Sequence, residues 1–466
     1  MIFKNTLSHI KVIHVLIAIG LSVFFIPRMF SPGMFFDGLI LSDVAINFAD
    51  HFNGFHKLSA TPDYSPNFCD QPPIYFWLYG SYYKLFGHSL LSMYFAKFIT
   101  LISTLYLLVM LNTDYKKIFA TYNYNVSNAL VLLMFVASAL HGFVFENLMV
   151  ESLLLPISLL SILQLNKFIV TQNYIHWLTF TLLSFVLFYT KGIQTQFVIT
   201  YLGCYALFFD TKNILRYVLL GLASLVIVGA IFGFLLYVNE ATLLFFKTYW
   251  QERIYPSFTE AGEATTQYHF GILYDVLQEY IFTFALLLIA FLTTKVKNIN
   301  YKFSYFAFLF SCSGILPLMA TLEQRRWYFA QAAPFLLLSI AYIIVQLNPP
   351  FVAWLNTTLK PKIVVVSCIL LLLINSTIIT YLHFNYKRDN DTINVLMYAK
   401  YKLKQPILRL KENVIEYPNL TTYAGVYGMI CYRRDTLLQY TIVNPYDSIQ
   451  YKTVYRNMQF AIIKNY

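Results

Sequence analysis

Eleven apolar stretches, each close to the length of a bilayer crossing, set the terms for this chain. They run over residues 12–30, 90–111, 126–145, 151–166, 174–190, 193–209, 214–238, 272–294, 303–319, 328–346 and 362–383. About 20 apolar residues wound as a helix cover the hydrocarbon core, and in lipid only helices or closed barrels satisfy every backbone polar group. Composition agrees. Of 466 residues, 58% are hydrophobic and 12% charged, with a mean hydropathy of +0.58, too little charge to clothe a soluble surface. A disordered chain and a nucleic-acid partner are excluded with it, because the net charge of +11 comes from Lys and Arg between apolar blocks and in the tail. The reading is an all-α polytopic membrane protein of about eleven transmembrane helices.

The first stretch follows Lys4 and Lys11 and ends in Pro27-Arg28-Met29-Phe30 without a small-residue cleavage site, so it is expected to stay as an anchor. With the N-terminus inside, an odd number of spans puts the tail outside. Basic residues favour this only weakly: twelve Lys and Arg fall inside, nine outside before residue 384 and twelve in the tail. The acids are lopsided, with Asp114 and Asp210 inside against fourteen outside before the tail. Acids barely influence topology, so the asymmetry points to chemistry on the outer face.

Two outer segments, 31–89 and 239–271, are too long to be mere connections. In the first, Asp43, Asn47 and Asp50 form an i, i+4, i+7 polar stripe, which predicts a helix lying on the membrane surface. Farther along, Pro73 and Gly87 bracket a second, Tyr- and Trp-rich interfacial helix. The other segment holds Glu240, Glu252, Arg253, Glu260, Glu263 and His269. Residues 384–466 shift to Lys, Asn, Asp and Tyr. A helix over 392–411 and β-like runs at 421–423, 437–442 and 459–463 predict a small extracytoplasmic α/β domain beside the membrane module 1–383.

No phosphate-binding Gly loop, GxSxG or HExxH is present. The candidates are therefore ionisable groups at span ends: Lys191, Glu146, Glu151, Asp275 and Glu279. A snorkelling Lys191 and water-facing acids are the plainer alternative. Paired Arg325 and Arg326, against the positive-inside trend, suit an anion such as phosphate, unless Glu323 simply pairs with one of them. Arg253 beside Glu252 is open to the same two readings. Asp37 follows an apolar run just after the first span, where desolvation would raise its pKa toward that of a working base; the competing role is a helix cap.

Four motifs in order resemble the GT-C superfamily of integral-membrane glycosyltransferases, in the branch of protein O-mannosyltransferases and lipid A aminoarabinose transferases. They are Asp37, Pro72-Pro73-Ile74-Tyr75-Phe76-Trp77-Leu78 with Lys84-Leu85-Phe86-Gly87, Lys191-Gly192, and Arg326-Trp327-Tyr328 with Pro334, over residues 1–345. The resemblance implies a GT-C fold in the bacterial inner membrane, with the active site and C-terminus periplasmic. It further implies transfer of a sugar, with inversion, from a polyprenyl-phosphate donor to a lipid, glycan or protein acceptor. An envelope lipid or glycan is the first choice, protein O-glycosylation the second, and a flippase for lipid-linked sugars the rival of another class.

Carried onto matching positions, Asp37 is the base, and Lys191, Arg253, Arg325, Arg326 and Tyr328 are the donor-phosphate candidates. Glu151, Asp70 and Gln71 are candidates for the acceptor or sugar. The family's first acidic site is commonly Asp-Glu, whereas Gly38 follows Asp37 here, leaving Asp43 to supply a second carboxylate. Gln71 stands where a phosphate-binding lysine is expected, and Arg253 where a histidine is. Metal-independent chemistry is the default reading, with Asp70 kept open as a ligand for a divalent cation.

Overall fold

The computed structural model describes residues 10–465 apart from 32, 53, 61–66, 260–264, 267, 294–298, 386–387, 406, 412–413, 415–416 and 433–437. Helix occupies each of the eleven windows. Six helices are long and apolar enough to cross a membrane unbroken: Val12–Met29, Leu90–Ile118, Val150–Thr171, Thr211–Val238, Lys302–Ala320 and Pro361–Tyr381. Three windows hold pairs bent at a break: Asn128–Val136 with Ala139–Glu146 (71°), Gly271–Glu279 with Ile281–Leu292 (71°), and Ala333–Leu347 with Pro349–Leu355 (108°). That makes six to nine candidate spans among the described residues, and Tyr174–Lys191 and Ile193–Phe209 account for the other two windows.

The breaks have local causes. Pro349 and Pro350 have no N–H to continue a helix, and the Asn348 side chain accepts the Phe351 N–H at 3.0 Å to start a new one. Lipid-facing surface is plain on Pro361–Tyr381, where Leu372 is 68% exposed, an arrangement suited to hydrocarbon and poorly suited to water.

Two helices form an antiparallel hairpin that matters for the site. Val150–Thr171 turns at Gln172 (φ 54°) and Asn173, whose side chain accepts the Ile175 N–H at 3.0 Å and starts Tyr174–Lys191. Antiparallel packing sets the first turn of one helix beside the last turn of the other, so Glu151 and Lys191 meet.

The first outer segment forms Phe36–Asp50 and Ile74–Phe86, packed together. Ile74–Phe86 begins after Pro73 and stops at Gly87, as expected. Phe36–Asp50 departs from the surface-helix expectation: ten of its fifteen residues are buried, because Ile74–Phe86 covers one side and the tail helix Pro418–Val426 another. The polar stripe faces protein. Asn47 donates to Ser59 Oγ at 2.7 Å, Asp50 lies 3.5 Å from His88, and Asp43 abuts Gly425.

The tail is an α/β domain. Its strands are Ile407–Leu410 (β1), Ile430–Tyr432 (β2), Tyr440–Val443 (β3), Thr453–Arg456 (β4) and Ala461–Lys464 (β5), in the order β2-β1-β3-β5-β4. β1 runs parallel to β2 and β3, whereas β5 is antiparallel to β3 and β4. The expected helix 392–411 is cut to Asn390–Met397 with a further turn to Lys402, and the run 421–423 is helical rather than β. Pro418 opens that helix, and the Thr421 and Thr422 hydroxyls donate back to its carbonyl at 3.0 and 2.8 Å, which overrides their β preference. Leu437 of the second run lies outside the described residues, as do Glu260 and Glu263. One continuous apolar core joins the membrane module to the domain.

Candidate functional site

Asp37 occupies the first turn of Phe36–Asp50, where the helix dipole favours its ionised form. The following glycine explains how it gets there. A Cβ at Gly38 would stand 1.7 Å from the Asn147 carbonyl oxygen, so only glycine lets the helix start press onto that segment. The Asn147 side chain also accepts the Phe35 N–H at 2.6 Å. Burial raises the Asp37 carboxyl above its usual range; Arg325, Lys191 and Arg253 pull it back in that order, and Asp70 pushes it up again. Side chains from four distant stretches of sequence thus converge on one carboxylate.

Lys191 closes its helix, and Gly192, at φ 82°, turns the chain where another residue would be strained. The ammonium pairs with Glu151, both side chains almost wholly buried, and lies 4.2 Å from the centre of the Tyr328 ring. Glu151 Oε2 has no hydrogen-bond partner. Glu151 therefore anchors Lys191. Tyr328 is half-buried in the turn Arg326–Phe329; desolvation raises its phenol, Glu323, Glu151 and Asp37 raise it further, and Arg325 opposes them.

Asp70 grips Arg253 with both oxygens, one of them 2.8 Å from Nε, and both side chains are partly exposed. Burial alone would lower the Arg253 pKa, but the Asp70 hydrogen bond and charge raise it. The structure thus places Asp70 against Arg253 rather than free in the site. Among the described residues no three His, Cys, Asp or Glu side chains form a metal-binding group. Gln71 Oε1 is buried without a hydrogen-bond partner. Arg326 donates to Glu279 at 2.7 Å and stacks over Phe143 at 5.3 Å. Arg325 lies 5.8 Å from the Trp327 ring, and Trp327, Phe35 and Phe143 pack with ring centres 5.4 to 5.6 Å apart. That aromatic trio fixes the Arg325–Tyr328 turn against the start of the Asp37 helix.

Asp43 does not join this group. Six residues along a helix turn a side chain about 120° from Asp37, and Asp43 is buried against Gly425 with Oδ2 unpartnered. Burial holds its carboxyl well above the ordinary value. The structure thus sets Asp43 apart from the groups around Asp37. Tyr249 was missed by sequence reading: it stands one turn before Arg253, its hydroxyl is 3.3 Å from where a Gly192 Cβ would sit, and burial raises its pKa while Arg253 lowers it. The i, i+4 spacing to Arg253 was the available signal.

No family model and no curated protein matches the chain. Among solved structures, ArnT from Cupriavidus metallidurans in the apo state aligns with a TM-score of 0.57 and 12% identity, over 97% of each chain. The same protein bound to undecaprenyl phosphate aligns with a TM-score of 0.61 and 12% identity, over 97% of this chain and 98% of that one. The chain shares the GT-C fold of these structures. It is the fold of a polytopic membrane protein with a small C-terminal sheet, and the likeness runs through the tail as well as the helices.

Proposed function

We propose that this GT-C chain is a glycosyltransferase that moves a sugar from a polyprenyl-phosphate carrier to an acceptor hydroxyl on the outer face of the membrane. The observation that carries the reading is the meeting of Asp37 with Arg325, Lys191 and Arg253. Asp37 takes the proton from the acceptor hydroxyl, whose oxygen bonds to the anomeric carbon from the side opposite the phosphate. The bond from that carbon to the phosphate oxygen breaks with its electrons, and polyprenyl phosphate leaves with one more negative charge. Attack from the rear inverts the anomeric centre.

The leaving charge needs fixed cations. Arg325 and Arg253 offer planar forks to a phosphate, Tyr328 an O–H, and Lys191 a charge held in place by Glu151. In a site closed to water such donors each contribute on the order of 3 kcal/mol to the transition state. The carrier's tail requires an apolar groove, for which the 81 Phe and Tyr residues provide material. An envelope lipid or glycan is the acceptor this reading favours. A flippase would be expected to carry charges mid-membrane in two related halves, whereas the candidate groups here, Lys191, Arg253 and Arg325, gather around Asp37.

The test is release of free carrier phosphate when purified protein meets polyprenyl-phosphate sugar and an envelope extract. Wild type should release it and Asp37→Asn should not, with carrier binding retained in both. Normal release by the variant removes Asp37 from the mechanism, and no release by wild type removes the reaction.

A further inference from the structure

A second set of cations meets around Phe35 and takes no part in the mechanism above. Arg28 lies in the last turn of the first membrane helix. Lys97, buried in Leu90–Ile118, donates to the Met29 carbonyl at 3.5 Å and lies 5.4 Å from the Tyr94 ring. Arg388, just past the last membrane helix, has its guanidinium 6.0 Å from the Phe35 ring. All three act on one carboxylate, that of Glu146, which ends Ala139–Glu146 and neighbours Asn147, the residue that holds the Phe35 N–H. Against these three cations stand Glu146 and Asp389, whose Oδ2 accepts the Tyr423 O–H at 3.0 Å, which leaves one net positive charge here.

The surroundings say what kind of anion belongs there. The first and last membrane helices are neighbours, joined by Asn375 donating to Ser22 Oγ at 2.7 Å. Both turn apolar side chains outward beside this seam, Ile19 and Val23 from one and Leu370, Leu373 and Ile374 from the other. Arg28 and Arg388, both exposed, therefore cap an apolar seam, an arrangement that fits a headgroup with its chains below it.

We propose that the exposed Arg28 and Arg388, with the buried Lys97 adding charge behind them, hold the phosphate of an anionic membrane lipid whose acyl chains lie along the seam between the first and last membrane helices. Arg28 and Lys97 belong to the membrane module and Arg388 to the tail, so the bound phosphate bridges the two. Because Arg388 and Asn147 both hold Phe35, two residues before Asp37, the lipid also steadies the start of the catalytic helix. The binding stands independently of the transfer reaction.

The test is native mass spectrometry of the full chain in detergent, offered equal phosphatidylglycerol and phosphatidylcholine. Wild type should retain phosphatidylglycerol about tenfold over phosphatidylcholine, and the double variant Arg28→Gln, Arg388→Gln, changed only at exposed positions, should lose that preference. Glu146→Gln, which removes the competing carboxylate, should strengthen retention. An unchanged preference in the double variant, or weaker retention in a Glu146→Gln protein that melts like wild type, overturns the proposal. Displacement of the lipid by an equal concentration of inorganic phosphate also overturns it, by assigning the cations to a free anion.

Discussion

Asp37 and Asp43 sit on one helix, less than two turns apart, and their surroundings give them opposite characters. Burial raises both carboxyls. Around Asp37, three cations offset that effect and the side chain keeps partial access; Asp43 meets the tail helix at Gly425 with no cation acting on it. Burial makes a carboxylate basic, and neighbouring cations decide whether it is still ionised to use that basicity. The helix thus carries a working face and a docking face, and the tail covers the second. Deleting residues 390–466 would open the shared core, so that truncation reports on folding before it reports on acceptor choice.

The contrast breaks first at turnover. Asp37→Asn should lower the rate by about 10²–10⁴-fold, the range of a lost general base, whereas Asp43→Asn should leave the rate within about threefold of wild type. Carrier-phosphate release under matched expression measures both. The pH profile sharpens the point: because Asp37 is raised, protonation should remove activity at a pH above the ordinary value of 3.8. A rate that stays flat down to pH 4 would assign the proton transfer elsewhere.

The two ion pairs of the site should separate next. Lys191→Met leaves Glu151 charged and buried, which should cost about 3–5 kcal/mol of stability, while Lys191→Met with Glu151→Leu should recover most of it. Thermal melting reads both. Arg253→Gln breaks the half-exposed pair with Asp70 and should cost less than about 1 kcal/mol, yet raise the donor KM about tenfold. Equal melting losses for Lys191→Met and Arg253→Gln would show that burial does not distinguish the pairs.

Asp43→Asn should give the smallest effect, visible only as a difference between pH values. A carboxyl raised in the folded state contributes stability that is complete below the unfolded value and lost as pH rises through the folded one. Wild type should therefore lose stability relative to Asp43→Asn as pH rises above the ordinary value of 3.8. A constant difference would place the ionised carboxylate in the folded state throughout.

Much of the architecture was legible because lipid constrains a helix along its whole length. Eleven apolar windows became helices, and Pro73 and Gly87 marked the ends of one because each acts locally. The tail was less legible. Thr421 and Thr422 favour strands by themselves, and only Pro418 and their bonds to its carbonyl make them helical. Phe36–Asp50 read as amphipathic because nothing in its own sequence says that a domain nearly 400 residues later covers Asp43 of its polar stripe.

The site divides in the same way. Asp37 and Lys191 stood out beside spans, Arg253 in a long outer segment and Arg325 as one of two paired arginines, and the structure brings the four together. Which acid holds which base did not, since Glu151 meets Lys191 through a helical hairpin and Asp70 meets Arg253 across 183 residues. Lys97 was passed over because one lysine in an apolar run gives no sign of its neighbours.

Locating bound polyprenyl phosphate by cryo-electron microscopy tests the central claim most directly. The account predicts the phosphate among Lys191, Arg253, Arg325 and Tyr328, with Asp37 facing the sugar position. Carrier phosphate seated instead on Arg28, Lys97 and Arg388, with the Asp37 cluster empty, would contradict it.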